Sequence, residues 1–283
     1  MEKVLSPIVE ASILQVMMST DNLVLVDAGS GESAKEAYIQ KHIKGALFVD
    51  LNSQLSDIKD DPANGGRHPL PSTEDFAKLL INLGITLESH IVIYDTNYGA
   101  NAAARFWWML TAAGHQKVQV LNGGFQAAEK EHLPMETGLQ TATSQGAYTI
   151  DKWLLPTASM QEVATTVNTS NGLVIDVRDT PRYNGEVEPI DTVAGHIPGA
   201  VNIPFKENLS PDFKFKSPQA LLEKYNTAFE GKDPDHIIIH CGSGVTACHT
   251  LLATAYAGLP IPKLYVGSWS EWSRNNNPMF TLD

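Results

Sequence analysis

The chain has 283 residues, 43% hydrophobic and 18% charged, with a formal net charge of −12. That balance belongs to a folded globular protein rather than a disordered one, and the length suits two domains better than one. The acidic excess argues against nucleic-acid and anionic-membrane partners, and no apolar run approaches the roughly 20 residues of a spanning helix.

In chain order, Ser6-Pro7 predicts a helix start, with Ser as N-cap and Pro at the first helical position. LVLVDAG (23–29) predicts a strand ending in Asp, and HIKGALFVDL (42–51) leads into a second short strand. HIVIY (90–94) is a third, followed by a loop, a helix containing RFWWML (105–110), and a last strand running into NGG (122–124). The stretch from 131 to 149 is rich in Thr, Ser, Gly and Gln without an apolar period, as expected of a linker. The pattern then repeats. LVIDVRD (173–179) lies over the first strand, HIPGAVNIPF (196–205) over the second, HIIIHCGSGVTACHTLLATAYAG (236–258) over the third, and YVGSWSEW (265–272) over the last. Asp27 answers Asp176, His42 answers His196, Asp95 answers Cys241 and Gly123 answers Gly267 at nearly constant separation, which marks a duplicated domain. Apolar strands alternating with helices predict an α/β fold, each copy a parallel sheet with helices on both faces. The expected division is 1–135, a linker at 136–149, and 150–283.

Cys241 and Cys248 are the only cysteines and stand seven positions apart. They form no disulfide framework, which favours a reducing cytoplasm. Cys241 sits at the carboxyl end of a strand, where parallel sheets collect their chemistry. Gly242-Ser243-Gly244 allows the loop to curl, turning successive N–H groups inward as an anion nest, and the following helix adds its positive end. Both effects favour a thiolate nucleophile. The alternative, a buried structural thiol, does not require such a loop, whereas Cys248 falls inside a predicted helix and is read as packing. A cysteine phosphatase would carry an arginine six residues after the nucleophile to grip phosphate. Ala247 stands there, so the nest suits a persulfide better than a phosphoryl group.

These blocks, with DVRDTPRYNGE (176–186), GHIPGAVNIPF (195–205), CGSGVT (241–246) and GSWSEW (267–272), resemble tandem rhodanese-type sulfurtransferases. They are most similar to the branch that uses 3-mercaptopyruvate. The resemblance implies two rhodanese-like domains, the first catalytically silent and closing over the second. It implies an enzyme that takes a sulfane sulfur onto Cys241 and passes it to a thiol, thioredoxin or cyanide. No metal or organic cofactor is implied, and the partners are a small sulfur donor and a thiol acceptor. A thiosulfate-preferring enzyme and a non-catalytic persulfide carrier are the alternatives. The neutral loop Gly242, Ser243, Gly244, Val245 and Thr246 is that of the mercaptopyruvate branch. Arg182 matches the first of the branch's two carboxylate-binding arginines; where the second is expected, Glu188-Pro189 leads to Ile190 and Asp191. The resemblance also implies a relay of Ser243, His68 and, at the aspartate position, Asn52. Arg67, beside His68, is read either as a replacement for the missing cation or as a solvated loop charge. His42, His196, Asp27, Asp176 and the four tryptophans Trp107, Trp108, Trp269 and Trp272 are expected to serve the fold, with Arg178 pairing a carboxylate of its own domain.

Overall fold

The computed structural model describes residues 5–144 and 146–282; Gln145 of the expected linker lies outside the described residues. The chain divides into two compact units. One comprises Met1–Asp57, Pro71–Leu154 and Asp212–Lys214; the other comprises Ile58–Leu70, Leu155–Pro211 and Phe215–Asp283.

In the first unit β1 (Ile8–Val9), β2 (Leu23–Gly29), β4 (Leu47–Asp50), β5 (His90–Tyr94) and β6 (Val118–Leu121) form a parallel sheet in the order β1-β6-β5-β2-β4. A separate antiparallel pair joins β3 (His42–Ile43) to β7 (Met135–Glu136). The strand residues Ile91, Val92, Ile93 and Tyr94 are buried, as expected of a strand with both faces covered. Ser6-Pro7 does not start a helix. Pro7 O accepts from Val120 N–H at 2.8 Å and Ile8 pairs with Val120, so sheet pairing holds the backbone extended and the first helix begins at Ala11. The same Ser-Pro signature at Ser217-Pro218 does cap a helix, Ser217 Oγ accepting from Ala220 N–H at 3.3 Å.

In the second unit β8 (Thr157–Ala158), β9 (Leu173–Asp176), β10 (Val201–Asn202), β11 (Ile237–His240) and β12 (Lys263–Tyr265) form a parallel sheet in the order β10-β9-β11-β12-β8. Read in the opposite sense, this is the order of the first sheet, so the duplication extends from sequence to topology. The predicted helix after the loop, α1, runs from Ala247 to Tyr256.

The units depart from the expected division at 135 and 150. Tyr148, in the tail of the expected linker, stacks on His115, and Trp153, within the stretch expected to open the second domain, packs against Phe76 and Trp108, which fastens both to the first unit. Residues 58–70 join the second unit because their backbone is hydrogen-bonded there: Gly65 N–H donates to Glu271 Oε1 at 3.0 Å and Arg67 N–H to Ser270 Oγ at 3.1 Å.

Candidate active site

Cys241 follows β11 directly, buried, at the carboxyl end of the central strand. Its loop is held from the segment 267–272. Cys241 N–H donates to Ser268 Oγ at 3.1 Å, Trp269 N–H to Cys241 O at 3.1 Å and Ser270 N–H to Gly242 O at 2.9 Å. Gly244 has φ +71° and would place a Cβ 2.4 Å from Val266 O, so only glycine fits this turn. Val245 is buried, and Thr246 takes the N-cap position of α1. Among the described residues, the N–H groups of Gly242, Ser243, Val245 and Thr246 donate to no protein acceptor.

The equivalent loop of the first unit fills itself. Asp95, in the place of Cys241, accepts from the N–H groups of Asn97 (2.8 Å), Gly99 (2.7 Å), Asn101 (3.0 Å) and Ala103 (3.2 Å). Burial pushes the Asp95 carboxyl up against the pull of these four donors. The fold thus builds a nest of N–H groups at this position in both copies, one occupied by its own side chain and one headed by a thiol.

Guanidinium groups gather beside the second loop. A Cβ on Gly242 would lie 3.1 Å from Arg67 Nη2 and 3.5 Å from Arg182 Nη2, so both cations come close against the residue after Cys241. Arg67 is no solvated loop charge: Nε donates to Asp191 Oδ1 at 3.1 Å and Nη2 to Oδ2 at 3.3 Å. Arg182 donates to Glu188, Nη2 to Oε1 at 2.6 Å and Nε to Oε2 at 3.2 Å. Arg274 Nη1 donates to Asp191 at 2.9 Å. Arg178 grips Asp176 through Nε (3.0 Å) and Nη2 (2.6 Å), lies 4.9 Å from the Trp269 ring, and is within electrostatic reach of Cys241. Burial alone would raise the Asp176 carboxyl, but Arg178 and then His240 outweigh it and hold it below the usual carboxylate range. His240 is buried, and burial lowers its pKa against the pull of Asp176.

His68 Nδ1 and Ser243 Oγ are hydrogen-bonded at 2.8 Å, so two of the three relay residues meet. Asn52 lies in the first unit, where its Oδ1 accepts from Ser30 Oγ at 3.4 Å. Cys248 is buried in α1 with its Sγ 3.3 Å from Gly244 O, a packing position. The paired histidines serve equivalent structural ends. His42 Nδ1 bonds Tyr38 O at 2.8 Å and its ring stacks on Tyr38; His196 Nδ1 bonds Tyr183 O at 2.7 Å and stacks on Tyr183. Sequence reasoning missed Asp191, Arg274, Ser268 and Ser270. The three acidic residues within the nine positions after Arg182, Glu186, Glu188 and Asp191 itself, were the only sign of the first of these, and nothing in the sequence pointed to Arg274.

A family model for the rhodanese-like domain matches the chain twice, over residues 10–131 and 159–275. The chain is 41% identical over 243 residues to a probable 3-mercaptopyruvate sulfurtransferase of Pseudomonas aeruginosa, spanning 83% of this chain and 82% of that one. It is 36% identical over 259 residues to the thiosulfate sulfurtransferase of Bos taurus, spanning 88% and 83%. The crystal structure of an Escherichia coli 3-mercaptopyruvate sulfotransferase superposes with a TM-score of 0.78 at 30% identity, covering 94% of this chain and all of that one. With both repeats matched by the family model, the chain belongs to the rhodanese-like family as a tandem member.

Proposed function

We propose that the protein is a sulfurtransferase that carries sulfur on Cys241, taking it from 3-mercaptopyruvate and passing it to a thiol such as thioredoxin, or to cyanide. The observation that supports this reading is the approach of Arg67 and Arg182 to Gly242, beside a cysteine whose loop offers unspent N–H groups. The two guanidiniums would bind the donor carboxylate, with Arg67 supplying the cation that Ile190 does not. The Cys241 thiolate attacks the donor sulfur, a sulfur–sulfur bond forms, and the carbon–sulfur bond breaks with its electron pair going to carbon. That carbon takes the proton given up by the donor thiol, and Ser243 with His68 is suited to pass it on. Pyruvate leaves, and the charged outer sulfur of the persulfide rests against the N–H groups of Gly242, Ser243, Val245 and Thr246. An acceptor thiolate then attacks the outer sulfur and Cys241 departs as thiolate. With thiosulfate as donor, the bond broken is sulfur–sulfur and sulfite leaves.

The absence of a disulfide between the two free cysteines suits a reducing cytoplasm, where Cys241 stays available. Turnover of a small donor with cyanide separates this enzyme from a persulfide carrier that serves one partner only. Losing a charge-assisted contact to the donor corresponds to a rise in KM of roughly 10- to 100-fold. Arg67→Ala and Arg182→Ala should each show that rise for 3-mercaptopyruvate. An unchanged KM in either variant removes that residue from the donor site.

A further inference from the structure

The geometry points to Asp191 as the residue that sets the charge of the donor pocket, and with it the preference between singly and doubly charged donors. This inference rests on the donor-binding reading of Arg67 and Arg182. Asp191 directly follows Ile190, where the sequence lacks its second arginine. Its side chain is fully buried and contacts three guanidiniums: Arg67 at 3.1 Å, Arg274 at 2.9 Å and Arg182 at 3.6 Å. Glu188 is shared by Arg182 (2.6 Å) and Arg178 (3.3 Å), and Asp176 is held by Arg178. Four guanidiniums therefore face three carboxylates, leaving one positive charge in excess.

A donor with a single carboxylate matches that excess and leaves the Cys241 thiolate to the loop N–H groups, whereas a dianion such as thiosulfate adds a further uncompensated negative charge beside that thiolate. At a carboxylate whose side chain is itself fully buried, one charge at this range is strongly felt. Asp191 hydrogen-bonds Arg67 and lies 3.6 Å from Arg182, and is a positioning residue that acts through both. Neutralising it raises the excess to two, the charge of thiosulfate. Removing Arg274, whose Nη1 also donates to Ser270 O at 2.8 Å, moves the balance the other way.

The test compares kcat/KM for thiosulfate and 3-mercaptopyruvate, with cyanide as acceptor, on single preparations of wild type, Asp191→Asn and Arg274→Met. Asp191→Asn should raise the thiosulfate-to-mercaptopyruvate ratio about tenfold, and Arg274→Met should lower it. Equal losses on both donors, or an unchanged ratio, would mean that Asp191 is merely structural and would overturn the inference. If Asp191→Asn does not fold, the sign of the Arg274→Met shift decides alone. Arg182→Ala measured alongside keeps the two levels apart. A raised KM there with no ratio shift elsewhere sinks only this inference, whereas an unchanged KM sinks the donor-site reading beneath it.

Discussion

Where the second copy of this loop begins with Cys241, the first begins with Asp95. In the first copy the carboxylate takes four backbone N–H donors at 2.7 to 3.2 Å and spends the nest on holding the loop together. In the second, the thiol leaves the nest open and the loop is held instead by Ser268, Trp269 and Ser270. Asp95 therefore carries stability at the position where we propose that Cys241 carries chemistry. Each buried donor stranded without an acceptor costs about 1 to 3 kcal/mol, and partial rehydration of the loop reduces the sum. We expect Asp95→Ala to destabilise the protein by about 3 kcal/mol in a denaturant titration. A midpoint within error of wild type would show that the carboxylate does not hold the loop.

At the level of elements, periodicity and self-comparison carry far. The apolar runs ending in Asp27 and Asp176, and those ending in Tyr94 and His240, all become sheet strands, because continuous apolar runs of that length fit a sheet covered on both faces. What fails is local grammar that tertiary pairing overrides. Ser6-Pro7 has the chemistry of a helix cap, yet edge pairing with Val120 leaves it extended. The site is half legible for the same reason. Cys241, Ser243 and Arg182 sit in motifs with recognisable spacing. Arg67 and Arg274 are brought to Asp191 from positions 124 residues before and 83 after it, a proximity that no local pattern encodes. The glycines of the loop were readable, but the clamp from Ser268 and Ser270 had to be seen in three dimensions.

Across the whole molecule, two buried groups, one in each unit, respond to pH in opposite directions. Burial, with Asp95 nearby and against the hydrogen bond from Tyr94, pushes the Asp27 carboxyl up to about 7. The folded state then holds a proton that the unfolded chain releases near pH 4, so stability falls as pH rises from about 4 to 7, by up to about 4 kcal/mol. His249 in α1 is driven the other way: burial, with Lys224 adding to it, lowers its pKa to about 3. The unfolded chain takes a proton near pH 6.5 that the folded state refuses, so stability falls as pH drops from about 6.5 toward 3. Denaturant titrations from pH 4.5 to 7.5 should show Asp27→Asn losing the decline toward neutral pH and His249→Phe losing the decline toward acid. Profiles parallel to wild type would show that these two groups are not the ones titrating.

Sulfur on Cys241 is the claim on which the functional reading turns, and intact-protein and peptide mass spectrometry after a single turnover with 3-mercaptopyruvate tests it directly. We expect one added sulfur on the Cys241 peptide of wild type and of Cys248→Ser, lost again when a thiol acceptor is supplied. Cys241→Ser should take up no sulfur and transfer none. Sulfur found on Cys248, or transfer retained in Cys241→Ser, would contradict it.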